Sequence, residues 1–116
     1  MQIDITFRGM TPSVSAEMSA RRWIERLNRV YANIIGCRVV IEIPHQSHEQ
    51  GNVFHVRIDL VVPGQVLIVT HDPGVTQGHE DVYVAISDAF RAVRRQLQHY
   101  TAIRRREQKR QERHAL

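Results

Sequence analysis

Gln2 to Arg8 alternates, with Ile3, Ile5 and Phe7 on one side and Gln2, Asp4, Thr6 and Arg8 on the other. A period of two predicts a half-buried strand. Gly9 ends it, and Thr11-Pro12-Ser13 opens a helical region with Ser13 or Ser15 as the candidate N-cap. From Ala16 to Ala32 the period changes to that of a helix. Ala20, Trp23, Ile24, Leu27, Val30 and Tyr31 fall within one arc of about 120°. Arg22, Arg26 and Arg29 cluster within about 60° on roughly the opposite side. This helix has an apolar floor and an arginine ridge.

Gly36 breaks that pattern. Arg38 to Pro44 reads as a second strand, with Val39, Ile41 and Ile43 alternating against Arg38, Val40 and Glu42. His45 to Asn52 is polar, contains Gly51-Asn52 and reads as a hairpin loop. Phe54 to Val62 is a third strand, with Phe54, Val56, Ile58, Leu60 and Val62 facing opposite to His55, Arg57 and Asp59. Pro63-Gly64 is a turn signal, Gln65 to Thr70 a fourth strand, and His71 to Gly78 a loop. From Asp81 to about Tyr100, Val82, Ile86, Ala89, Phe90, Val93, Leu97 and Tyr100 form one helical stripe. Arg91 and Arg95 lie near the opposite face, flanked by Arg94 and His99. His79-Glu80-Asp81 sets two carboxylates at the start of this helix, where they suit its dipole. After Tyr100 the stripe stops, which predicts a fraying helix end and a mobile basic tail over 101–116 behind a domain of residues 1–100.

The order is β-α-β-β-β-α, an α+β fold. Each element has one apolar face, so the economical packing lays both helices on one face of a four-stranded sheet. The later strands pair as antiparallel hairpins. The first strand returns beside the second through the first helix, as a right-handed parallel crossover. Both arginine ridges then share one outer surface, and two modest ridges become one cationic patch.

Charge sharpens this picture. Residues 1–90 hold seven arginines against ten acidic residues, whereas residues 91–116 hold nine basic residues against two acidic ones. Arginine and lysine displace counterions condensed on phosphates, so a polyanion is the expected partner. Fifteen of the sixteen basic residues are Arg, which forks onto phosphate oxygens and stacks on bases. The plainer reading is a solvated helix end, and charge alone does not choose between them. At 116 residues one domain with a modest core is expected. A single cysteine, Cys37, excludes an internal disulfide and reads as a small buried residue. No signal-like leader and no run of about 18 apolar residues is present, so a soluble cytoplasmic protein is expected.

Four stretches, in this order, carry a resemblance. They are Met1-Gln2-Ile3-Asp4-Ile5-Thr6, Glu25-Arg26-Leu27-Asn28-Arg29, the strand pattern ending in Pro63-Gly64, and Gly78-His79-Glu80-Asp81-Val82-Tyr83-Val84-Ala85-Ile86 leading to Arg95-Gln96-Leu97. Through residues 1–100 the chain resembles the ribosome hibernation-promoting factor family, also called ribosome-associated inhibitors or ribosomal subunit interface proteins. The resemblance implies a fold like that of double-stranded RNA-binding domains. It implies a partner, the small ribosomal subunit and its ribosomal RNA, and a role in blocking the tRNA and mRNA sites of idle ribosomes. Arg8, Arg26, Arg29 and Arg95 match positions where the family commonly carries a base. Arg22, Arg91 and Arg94 join them by helical phase alone, and Arg104 and Arg105 start the basic tail. The family's long form adds a C-terminal dimerisation domain, which this chain is too short to hold. It resembles the short form and is expected to be a monomer.

Other chemistry has little support. His45, His48 and Glu49 share one loop, and His71, Asp72, His79, Glu80 and Asp81 surround another, but no metal-ligand spacing appears. No phosphate-binding glycine loop, nucleophile elbow or catalytic triad is present, so no enzyme, cofactor or small-molecule substrate is expected. Tyr83 either stacks on a base or packs on the sheet edge. Trp23 lies in the apolar arc, which favours the core. Two rivals stay open: a general double-stranded RNA-binding module, and a protein-interaction adaptor using Arg38, Val40, Glu42, His55 and Arg57 on the sheet.

Overall fold

The computed structural model describes residues 1–44, 53–72 and 81–114. The loop histidines His45, His48 and His79, with Glu49 and Glu80, lie outside these residues. The element order is β1 (Gln2–Arg8), α1 (Val14–Val30), β2 (Gly36–Glu42), β3 (His55–Val62), β4 (Gln65–His71) and α2 (Val82–His114). The strands form one sheet in the order β1-β2-β3-β4. β1 runs parallel to β2, as a crossover through α1 requires, and the other two pairs are antiparallel.

Strand alternation decides which face is covered. Val39, Ile41, Val56, Ile58, Leu60, Leu67 and Val69 are buried against Ala20, Ile24 and Leu27 of α1 and Ile86, Phe90, Val93 and Leu97 of α2. Ile3, Ile5 and Phe7 pack at the margin of this core. Their neighbours on each strand point away from the helices. The register aligns Asp4, Arg38, Asp59 and Ile68 across all four strands on that open face.

Two glycines fix the connections. Gly64 has φ of 86° in the two-residue β3–β4 turn, where its lack of a side chain avoids strain. Gly9 has φ of 67°, and a Cβ there would stand 2.3 Å from the Ile43 carbonyl oxygen. Ile43 is held there because its N–H donates to the Arg8 carbonyl at 3.0 Å. Gly9→Ala is therefore expected to cost about 2 kcal/mol or more, read by urea denaturation.

The helix limits differ from the sequence reading. α1 starts at Val14 because Ser13 caps it, its hydroxyl accepting from the Ala16 N–H at 3.2 Å. It ends at Val30, because Tyr31 turns extended with φ of −149° and sets its ring edge-on to Tyr100 at 5.6 Å. α2 is capped by Asp81, whose carboxylate accepts from the Tyr83 N–H at 2.8 Å. It does not fray at Tyr100 but runs on to His114. Thr101–His114 contains no Gly or Pro and is rich in Arg, Gln, Glu and Lys, all good helix formers. The basic tail expected from the sequence is thus a helical extension, exposed from Ala102 to Arg113. Its Lys109, Arg110 and Arg113 suit the negative end of the helix dipole.

Cys37 is 3% exposed at the start of β2. Burial, helped by the negative charge of Asp59, pushes its thiol up from 9.0 to about 12. As pH rises past the ordinary value, the unfolded thiol ionises first, so this group lowers stability only above about pH 9. Near neutrality it is protonated and shielded. Iodoacetamide at about pH 8 is expected to spare Cys37 in the folded chain and to alkylate it in denaturant. Equal labelling of both forms would contradict this placement.

Candidate nucleic-acid interface

Three contacts zip α1 to α2 in parallel. At their N-terminal ends, Ser15 Oγ and Tyr83 Oη share a hydrogen bond of 2.6 Å. Midway, the rings of Trp23 and Phe90 stack at 5.9 Å, 9° from parallel. At the far end, Tyr31 meets Tyr100. Tyr100 also donates its hydroxyl to the Pro63 carbonyl at 2.7 Å, tying α2 to the β3–β4 turn.

With the helices in this phase, the arginine ridges meet. Arg26 from α1 and Arg91 from α2 place their guanidinium carbons 4.9 and 6.0 Å from the centroid of the same Trp23 ring. Trp23 is thus both core and platform. Its stack on Phe90 keeps it only 8% exposed, and guanidinium groups from two segments cover it. Arg22, Arg26 and Arg91 line one open cleft of about 510 Å³ with Ser15, Ser19, Tyr83 and Ser87. Arg29 and Arg94 lie about one helical turn further along and are exposed.

The remaining candidates separate from this cluster. Arg95 lines the other flank of α2, beside Gln65, Leu67 and His99. Arg104 and Arg105 line a polar notch of about 640 Å³ between the end of α1 and the α2 extension, and Arg104 covers the Tyr100 ring at 5.5 Å. Arg8 ends β1 opposite Glu42 and belongs by alternation to the open sheet face. Tyr83 is 41% exposed, and its hydroxyl shares a hydrogen bond with Ser15.

The two faces of the molecule differ in how their charges are compensated. On the open sheet face, Arg38 lies 3.9 Å from Asp4, Arg57 lies 3.0 Å from Asp59, and His55 lies 3.2 Å from Asp72. On the helix face, Arg91 has Asp88 at 3.5 Å. Among the described residues, no carboxylate pairs with Arg22, Arg26, Arg29, Arg94 or Arg95. Cations left without partners at the mouth of a cleft suit a polyanion. No three His, Cys, Asp or Glu among the described residues gather as metal ligands. No helix among them is long and apolar enough to cross a membrane.

Sequence reading named Ser15 only as a candidate N-cap and missed Ser19 and Ser87. The signal for them was present: Ser15-Ser19 and Tyr83-Ser87-Arg91 each recur at four-residue steps, which puts them on one helical stripe.

These features define an α+β domain with a cationic two-helix face and a charge-balanced open sheet. The sequence model of one family, Sigma 54 modulation protein / S30EA ribosomal protein, matches residues 3–105, and the chain belongs to that family. Its fold is similar to that of a ribosomal subunit interface protein from Coxiella burnetii, with a TM-score of 0.69 at 16% identity over 88% of this chain and 99% of that one. It is also similar to the N-terminal domain of Thermus thermophilus Protein Y, with a TM-score of 0.67 at 17% identity over 86% and 99% of the two chains. Among curated protein sequences, none matches this chain.

Proposed function

We propose that this chain is a non-enzymatic ribosome-binding factor that docks on the small subunit through the outer face of α1 and α2. The carrying observation is the set of guanidinium groups from both helices on that face, most of them unpaired, whereas Arg38 and Arg57 on the sheet face each have a carboxylate partner. Family membership supports the choice of the ribosome, as do the names of the two structural neighbours. Bound there, the domain excludes tRNA and mRNA by volume and silences translation. Arginine contacts to backbone phosphates do this largely without reading sequence.

The test is co-sedimentation with purified small subunits across a salt series. If about five phosphates are engaged across this face, counterion release sets the salt dependence. The log–log salt slope is then roughly −3.5 to −4.5. Initiator tRNA and mRNA are expected to compete with the protein. Equal affinity for free duplex RNA and for the subunit would instead mark a general double-stranded RNA-binding module.

A further inference from the structure

We propose that the cleft between the N-terminal halves of α1 and α2 is a seat for one phosphodiester of an RNA backbone. This rests on the ribosome-binding reading and goes beyond a diffuse basic patch, because the cleft is built from groups of two kinds. Arg22, Arg26 and Arg91 supply charge, and Ser19 and Ser87 supply hydroxyls from opposite walls. The hydrogen bond between Ser15 and Tyr83 closes the cleft at its N-terminal end. Trp23 forms its floor, and the stack on Phe90 keeps that floor rigid.

Two guanidinium groups held over one indole repel each other. Asp88 offsets only Arg91, and Arg26 has no carboxylate partner among the described residues. A phosphodiester between them satisfies both with charge-assisted hydrogen bonds, while its free oxygens accept from Ser19 and Ser87. Because α1 and α2 run parallel, the positive ends of both helix dipoles lie at the closed end of the cleft and add to its potential. Arg29 and Arg94 lie beyond its open end and suit the next phosphates along the strand.

Trp23 is the only tryptophan in the chain, so its emission reports on this cleft. The experiment titrates the full chain with a short RNA duplex and, in separate arms, with inorganic phosphate and pyrophosphate. Trp23 emission is followed beside the anisotropy of labelled RNA, and small-subunit co-sedimentation is run in parallel. RNA is expected to change the emission saturably, with the same midpoint as the anisotropy. Inorganic phosphate is expected to act only at far higher concentration. Ser19→Ala with Ser87→Ala removes no charge. It is expected to weaken RNA and subunit binding roughly three- to tenfold while leaving the salt slope unchanged, a signature that loss of a charged contact does not give.

If the double serine variant binds as tightly as the parent, or RNA binds with Trp23 emission unchanged, the phosphate seat is overturned and the basic face remains. A tighter response to pyrophosphate than to RNA would overturn the assignment to an RNA backbone. If the parent chain fails to bind subunits while duplex RNA still changes Trp23 emission, the ribosome-binding reading is overturned and the seat stands; if it binds neither, both are overturned.

Discussion

Replacing Arg22, Arg26 and Arg91 together by glutamate is expected to lower affinity for the small subunit by at least about 100-fold, or ~3 kcal/mol. Each change removes an attraction to phosphate and installs a repulsion. All three residues line the same cleft, so no neighbouring contact can take over their position. All three are exposed, and the Trp23–Phe90 stack beneath them is untouched, so the fold should survive. A matched variant, Arg8→Glu with Arg38→Glu and Arg57→Glu, changes the net charge equally but on the sheet face. It should retain most of the affinity, losing only the long-range share that salt screens. Co-sedimentation at two salt concentrations separates them, with circular dichroism checking the fold. Equal loss in both variants would mean that total charge, not its placement, governs binding.

The largest effect on stability is expected at Phe90. Its ring is fully buried, stacks on Trp23 and belongs to the core shared by both helices and the sheet. Phe90→Ala removes that surface and leaves a cavity, which costs about 3–5 kcal/mol. Domains of this size are stable by roughly 5–15 kcal/mol, so the melting temperature should fall by roughly 10–20 °C. Because Phe90 supports Trp23, the variant should also red-shift tryptophan emission while still folded. Tyr83→Phe, which removes only an exposed hydroxyl contact, should cost less than about 1 kcal/mol. A small cost for Phe90→Ala would mean that α1 and α2 are not clamped through this stack.

The strands were legible in the sequence because burial on one face has a period of two, and Val56, Ile58, Leu60 and Val62 obey it strictly. β4 was legible only in part. Val66, Leu67, Ile68 and Val69 are all apolar, so the pattern did not show that Val66 and Ile68 face outward. The ends of the helices were harder. Tyr31 keeps the helical phase of the α1 stripe, yet leaves the helix to meet Tyr100, a tertiary contact that no local pattern encodes. Beyond Tyr100 the apolar stripe stops, but a helix without a packing face is still a helix where propensity favours it.

The candidate site shows the same division. Helical phase alone brought Arg22 and Arg26 onto the face that also carries Arg91, because the ridge opposite an apolar floor must be exposed. Alternation had already set Arg8 beside Asp4 and Thr6, away from Ile3, Ile5 and Phe7, and the structure keeps it on the open sheet. The pairing of Ser19 with Ser87 across the cleft depends on how α1 lies against α2. Periodicity within each helix contains nothing about that relation.

The most direct measurement is arginine footprinting with phenylglyoxal, read residue by residue by mass spectrometry on the free chain and on the chain bound to small subunits. Docking through the two-helix face predicts protection of Arg22, Arg26, Arg29, Arg91 and Arg94, with Arg38 and Arg57 as reactive bound as free. Protection of Arg38 and Arg57, with the helix arginines still open to reagent, would place the contact on the sheet and contradict the account.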